Sequence, residues 1–389
     1  MSKDCVRIVG VRERAVPLSR YADATVRSGG LTTSVVAIES NLTRSGKRVT
    51  GYGFSSMGRF AQSGLLRERF IPRLIGCDPA MLLDQSAQNI DPFRAWKAMM
   101  NGEKAGGHGE RCVAVGTLDM ALWDLAAKIA DVPLYEYLSS LVGLAPSRTV
   151  SVYASGGYLH PADDLLKLKD EVRAAAELGF EHFKMKIGQE TLENDSRRIE
   201  AAASVLSDAR RLAVDAMNAY DGPRARSAAQ TLQGYDLWWF EDFCDPLDFE
   251  LQAEVADMYP GPIAAGEALF SSAEAKLLAA HGGLRKDRDI LLFDPVHCYG
   301  IPGYLEIIRV MLERGWKRES FWPHGGHVYC LHIVSALGLG GAEVNPFSFA
   351  PFGGLPNRTP VDRGRVDVPQ LPGIGFEGKS DALALFESI

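Results

Sequence analysis

No stretch of this sequence is long and apolar enough to suggest a membrane span. Its first residues, MSKDCVRIVGVRER, lack the apolar core of a secretory leader. Cysteine is scarce, with six in 389 residues. None forms a CxxC pair or joins histidine at zinc spacing. Cys5, Cys77, Cys112, Cys244, Cys298 and Cys330 are therefore expected to be reduced thiols, mostly packed. Positive charge is short too: 42 Lys and Arg stand against 49 Asp and Glu, for a net charge of -7. An acidic surface does not attract nucleic acid or an anionic membrane. It still admits a small anionic substrate, because a cation in a pocket inverts the local field. The expectation is a cytoplasmic protein without nucleic-acid or membrane partners.

Apolar residues make up 46% and charged residues 23%, an ordinary globular balance. The length suits two domains, one of them a barrel. In the N-terminal part, Val6–Val11, Thr33–Glu39 and Val49–Phe54 read as strands, the last two joined by a turn at 44–47. Cys112–Ala130 reads as a helix, with Val115, Leu118, Leu122, Leu125 and Ile129 at helical spacing. Residues 101–109 carry four glycines and read as a mobile loop.

The texture changes near residue 150. Eight short apolar runs follow, at 150–155, 182–188, 211–217, 237–243, 262–268, 289–295, 319–325 and 342–348, most separated by helix-length segments. Apolar runs of this kind suit parallel strands buried on both faces. Repeated βα units imply a (β/α) barrel. The domain reading is a capping domain over 1–145, completed by a Gly/Pro-rich strap over 350–389, and a barrel over 146–349.

Titratable residues recur near the C-terminal ends of these runs: Lys184 and Lys186, then Asp215, Glu241, Glu267, Asp294 and His324, with Glu343 early in the eighth. From Lys186 to His324 the steps are 26 to 30 residues, one barrel unit each. A barrel gathers such positions at its C-terminal mouth. Three carboxylates on consecutive strands, Asp215, Glu241 and Glu267, repel one another unless a cation sits between them. All-oxygen ligation favours Mg²⁺ over zinc. Lys184 and Lys186 point to the same side of their strand. Mutual repulsion and a nearby metal would leave one amine neutral and able to act as a base. Asp294 would fix the tautomer of His324 from the adjacent strand. Glu343, if burial keeps it neutral, would donate to a substrate carboxylate. The other histidines (His108, His160, His182, His281, His297, His327 and His332) read as structural or surface residues.

Lys-x-Lys, the Asp/Glu/Glu trio and the Asp…His pair together resemble the mandelate racemase subgroup of the enolase superfamily. The segments TLDMALWD (117–124), AGE (265–267) and PGIG (372–375) are similar to that family as well. The resemblance implies a modified (β/α)₇β TIM-like barrel with an α+β capping domain. It also implies abstraction of an α-proton from a Mg²⁺-bound carboxylate to give an enediolate. Within the subgroup the chain looks most like D-tartrate dehydratases. On that likeness Lys186 abstracts the C2 proton, and His324, oriented by Asp294, protonates the departing C3 hydroxyl, giving oxaloacetate and water. Lys104 and Tyr21 would contact substrate from the cap. The expected partners are a small anionic hydroxy acid and further copies of the chain. The alternatives are a racemase or epimerase, a dehydratase of another acid sugar such as galactarate, and a barrel that binds without turnover. Two departures from the resemblance would reshape the pocket: Asp215-Ala216-Met217-Asn218 has an extra residue before Asn, and Asp294-Pro295-Val296-His297 leads to no Gly-Gly turn.

Overall fold

The computed structural model describes residues 5–21 and 29–389. β1 (Ile8–Pro17), β2 (Thr32–Arg44) and β3 (Lys47–Phe54) form an antiparallel sheet in sequence order. β1 lies further along the chain than the run Val6–Val11, because its pairing with β2 extends to Pro17 opposite Thr32. The helix Glu110–Ala130 packs flat on this sheet. A Cβ on Gly51 would lie 2.1 Å from the Ala121 carbonyl oxygen, and one on Gly53 2.5 Å from that of Thr117. Glycine at both positions lets backbone meet backbone. The helix is buried on nearly every side, so its apolar residues form no single stripe. Its two buried carboxylates accept backbone bonds from other parts of the chain. Asp119 accepts from Ile301 N at 2.7 Å, and Asp124 from Tyr52 N at 2.8 Å and Ile374 N at 2.7 Å. One helix thus joins cap, barrel and tail.

The barrel strands are β4 (Thr149–Gly156), β5 (Phe183–Lys186), β6 (Leu212–Asp215), β7 (Trp239–Glu241), β8 (Ile263–Ala265), β9 (Ile290–Leu291) and β10 (Ala342–Val344). They pair in parallel in the order β10-β4-β5-β6-β7-β8-β9. A helix follows each of β4 to β9. Several start on a side chain that accepts from the first turn, among them Thr191, Asp221, Asp248 and Ser271. Such caps satisfy backbone donors that have no partner inside the helix. The run at 319–325 forms only a single bridge, Leu291 to Phe321, rather than a full strand. Trp322 N and His324 N still donate to Leu291 O and Leu292 O, so the segment holds its place in the wall.

Inside the barrel, Tyr153, Ala213, Trp239, Ala264 and Leu292 form an apolar layer. Ala213, Trp239 and Leu292 stand two residues before Asp215, Glu241 and Asp294. Side chains at i and i+2 share a face, so the acidic layer lies directly above the apolar one. The indole of Trp239 donates to Glu241 Oε2 at 2.7 Å.

The tail touches both sheets. β11 (Arg365–Asp367) first pairs antiparallel with β4. The helix Ser380–Glu387 then stacks Phe386 on Tyr52 at 4.9 Å between ring centroids. Segment 101–109 is not loose. The side chain of Glu103 is 3% exposed and pairs with Arg69, Arg73 and Arg111 at 2.8, 2.5 and 3.2 Å. Arg111 also donates to the Tyr299 hydroxyl at 2.8 Å, so the loop is tied to the barrel turn that follows Asp294.

Candidate metal and acid–base centre

Strand register places the ring. Lys186 is opposite Asp215 across β5 and β6, and Asp215 is opposite Glu241 across β6 and β7. Glu267 follows β8 by two residues, after Gly266. One oxygen from each of Asp215, Glu241 and Glu267 lies within 4.8 Å of the others. Asp215 and Glu241 are buried and Glu267 is half-buried.

Burial and the like charges of Asp215 and Glu267 push Glu241 up to about 8, although Lys184 opposes them. Burial, with Glu267 and Glu241 beside it, also raises Asp242, and its Oδ2 is buried without a hydrogen-bond partner. Burial would raise Asp215 too, but Lys186 and Lys184 hold it low; the raised Glu241 and the orphaned buried oxygen beside it are what a hard divalent cation relieves. The donor set therefore fits Mg²⁺, which Asp215, Glu241 and Glu267 would hold.

The expectation of one neutral lysine invokes the metal as well as repulsion, and the described side chains give each amine a carboxylate partner. Lys186 pairs with Asp215. Lys184 lies 2.5 Å from Glu241 and 3.3 Å from Glu343. Burial disfavours both ammonium groups, but these carboxylates outweigh it and raise both pKa values. Glu343 is also corrected. Burial alone would keep it neutral, yet Lys184, His324 and Lys186 hold it well below the usual carboxylate range. It is an ionised acceptor, and it takes the Gly325 N–H at 3.0 Å.

Across the mouth, His324 Nδ1 is 2.9 Å from Asp294 Oδ2, and Nε2 is 3.6 Å from Glu267. Burial lowers the His324 pKa, but Glu267, Asp294 and Glu343 more than compensate and bring it to about 9. Two histidines read from sequence as structural or surface stand against the same aspartate. His297 Nδ1 lies 3.7 Å from Asp294 Oδ2, and His327 reaches it through Ser56. The departure His297 from the family resemblance was the one visible signal; nothing in the sequence marked Ser56.

The two cap candidates fall differently. Tyr21 donates its hydroxyl to Leu159 O at 2.8 Å and sets its ring against Tyr158, whose own ring lies 5.5 Å from Lys186 Nζ. Lys104 is exposed. Its carbonyl accepts from Arg111, and its amine makes no bond to the ring among the described residues.

The N-terminal domain of mandelate racemase and muconate lactonizing enzyme matches residues 12–139, and the enolase C-terminal domain-like family matches residues 167–382. The chain belongs to the mandelate racemase/muconate lactonizing enzyme family of the enolase superfamily. Among its relatives in this family, L-talarate/galactarate dehydratase of Salmonella typhimurium is 30% identical over 84% of this chain and 76% of its own length. Arabinonate dehydratase of Saccharolobus solfataricus is 28% identical over 76% of this chain and 78% of its own. The crystal structure of L-talarate dehydratase from Polaromonas sp. JS666, complexed with Mg and L-glucarate, superposes with a TM-score of 0.71 at 27% identity, covering 95% of this chain and 94% of that one.

Proposed function

We propose that this family member is a Mg²⁺-dependent dehydratase of an acid sugar, a hydro-lyase. The observation that carries the reading is the pair of proton-transfer groups flanking the carboxylate trio, Lys186 on one side and the Asp294–His324 couple on the other. The relatives' names support an acid sugar, aldarate or aldonate, over the D-tartrate suggested by the sequence.

Bound at Asp215, Glu241 and Glu267, Mg²⁺ would bind the substrate carboxylate and stabilise negative charge developing on it. With Asp215 engaged as a ligand its hold on the Lys186 amine weakens, and burial and Lys184 lower the pKa against Tyr158 and Glu343. Lys186 then takes the α-proton. His324 enters as the imidazolium, the form that Asp294 and Glu343 favour. Asp294 accepts from Nδ1–H, so Nε2–H faces the pocket and protonates the departing β-hydroxyl. Water leaves, and the enol ketonises to a 2-keto-3-deoxy acid. Lys184, held by Glu241 and Glu343, is a fixed positive charge beside the substrate carboxylate. Tyr21 and Lys104 are proposed to approach the substrate from the cap.

The test is a panel of aldarates, aldonates and both tartrate enantiomers incubated with Mg²⁺ in D₂O. Keto-acid release from an acid sugar is the expected result. Release from D-tartrate alone would restore the narrower reading. Deuterium exchange without release would mean racemisation, and neither event with any acid would overturn the proposal.

A further inference from the structure

Asp294 is held from both domains. Its Oδ1 accepts from Val296 N at 2.7 Å and His297 N at 3.3 Å, within its own turn. Its Oδ2 takes His324 Nδ1 at 2.9 Å and, from the cap, the Ser56 hydroxyl at 2.6 Å. Ser56 Oγ lies in turn 2.9 Å from His327 Nε2. The donor order is fixed by chemistry. Asp294 can only accept, so Ser56 gives it its single proton. Ser56 Oγ is left as an acceptor, and His327 Nε2 must carry hydrogen. Burial lowers the pKa of His327 to about 4, which keeps it neutral and leaves one N–H to donate.

Ser56 and Asp294 are 0% exposed and His327 is 1% exposed, so water does not replace these bonds. The backbone at Ser56 is left-handed, with φ 58°, a conformation that serine adopts at a cost. Gly325, the residue after His324, leaves space for the chain of bonds. A Cβ there would lie 2.7 Å from His327 Nε2 and 3.0 Å from Ser56 Oγ. His327 is steadied by the Phe54 ring at 4.8 Å, and Phe54 ends β3 two residues before Ser56.

We propose that Ser56 and His327 are positioning residues for the second half of the reaction: the relay His327–Ser56–Asp294 sets the aspartate that holds His324 with Nε2–H toward the leaving hydroxyl. The inference rests on the dehydratase reading. The cap thereby completes the acid side of the site, while Lys186, held on the barrel strand β5, lies outside the relay.

Full-length Ser56→Ala, His327→Phe and His327→Gln, each with Mg²⁺, test this. Phenylalanine keeps a ring against Phe54 without the donor, and glutamine keeps an N–H. In D₂O, keto-acid release by Ser56→Ala and His327→Phe should fall roughly 10- to 100-fold, the usual effect of removing such a supporting partner. α-Proton exchange should stay within about threefold, and His327→Gln should recover most of the release. A general packing defect would lower exchange and release together, and that result overturns the inference. So does an unchanged exchange-to-release ratio in both variants. If the wild-type protein turns over no acid sugar, the dehydratase reading fails. The relay is then judged on ¹⁵N NMR of the Mg²⁺-loaded protein. It predicts that the His324 Nδ1–H held by Asp294 gives a resonance that shifts in Ser56→Ala, and an unaltered resonance overturns it.

Discussion

At Lys186 the decisive neighbour is Asp215, whose carboxylate keeps the amine protonated until it is engaged elsewhere. The same carboxylate therefore restrains the base and helps hold the metal. Replacing Lys186 with Ala removes the proton acceptor. α-Proton exchange and keto-acid release should then both fall by about 10³-fold or more, read by ¹H NMR in D₂O. His324 is different, because its task begins after the C–H bond has broken. His324→Asn should lower release by roughly 10² to 10⁴-fold while leaving exchange detectable. Equal loss of both signals in His324→Asn would contradict the assignment of acid and base. The lysines and Glu343 also show why residue type alone misleads. Sequence placed like charges side by side, and allowed a neutral lysine beside a metal and a neutral Glu343 if burial raised it. Folding instead interleaved them, so Lys184 lies between Glu241 and Glu343 and all three gain partners.

Among the elements, segment 101–109 departs most from its sequence character. Its glycines predict mobility, yet Glu103 fixes it through three arginines, one of which also holds Tyr299. Burial would raise the Glu103 pKa, but the arginines outweigh it and lower it. A depressed carboxylate pKa stabilises the fold above the unfolded value and loses that effect as pH falls through the folded one. Glu103→Gln should therefore lower the melting temperature at neutral pH. The difference from wild type should shrink as pH drops below about 4.5, measured by calorimetry across pH. A constant difference at all pH values would mean that shape, not charge, holds the loop. The barrel strands were legible for the opposite reason. A strand buried on both faces has to be apolar along its length, and a polar residue at its end stands out. The run at 319–325 reads like the others but forms one bridge, because its hydrogen bonds to Leu291 and Leu292 hold the segment without a second ladder.

For the molecule as a whole, three carboxylates share one end of a barrel and lack full compensation without a cation. Mg²⁺ binding to the native state alone should raise the melting temperature, by an amount that grows with the logarithm of its concentration above Kd. Glu267→Gln, which removes the most accessible carboxylate of the three, should shift that dependence to higher Mg²⁺ without unfolding the protein. An unchanged melting temperature at millimolar Mg²⁺ would remove the metal from the proposal. The domains are fastened together by the buried helix Glu110–Ala130 and by the tail, so cap and barrel should unfold in one transition. Two resolved transitions in calorimetry would contradict that coupling.

Sequence by itself determined the barrel, its repeat and the ring of titratable positions. Those features follow from local period and burial, which act over a few residues and recur every 26 to 30. Tertiary structure alone decided which charges pair, that Glu343 is ionised, that Glu103 anchors its loop, and that Ser56 meets Asp294 from 238 positions away. Electrostatic energy depends on distance and burial in space, and neither can be read from separation along the chain.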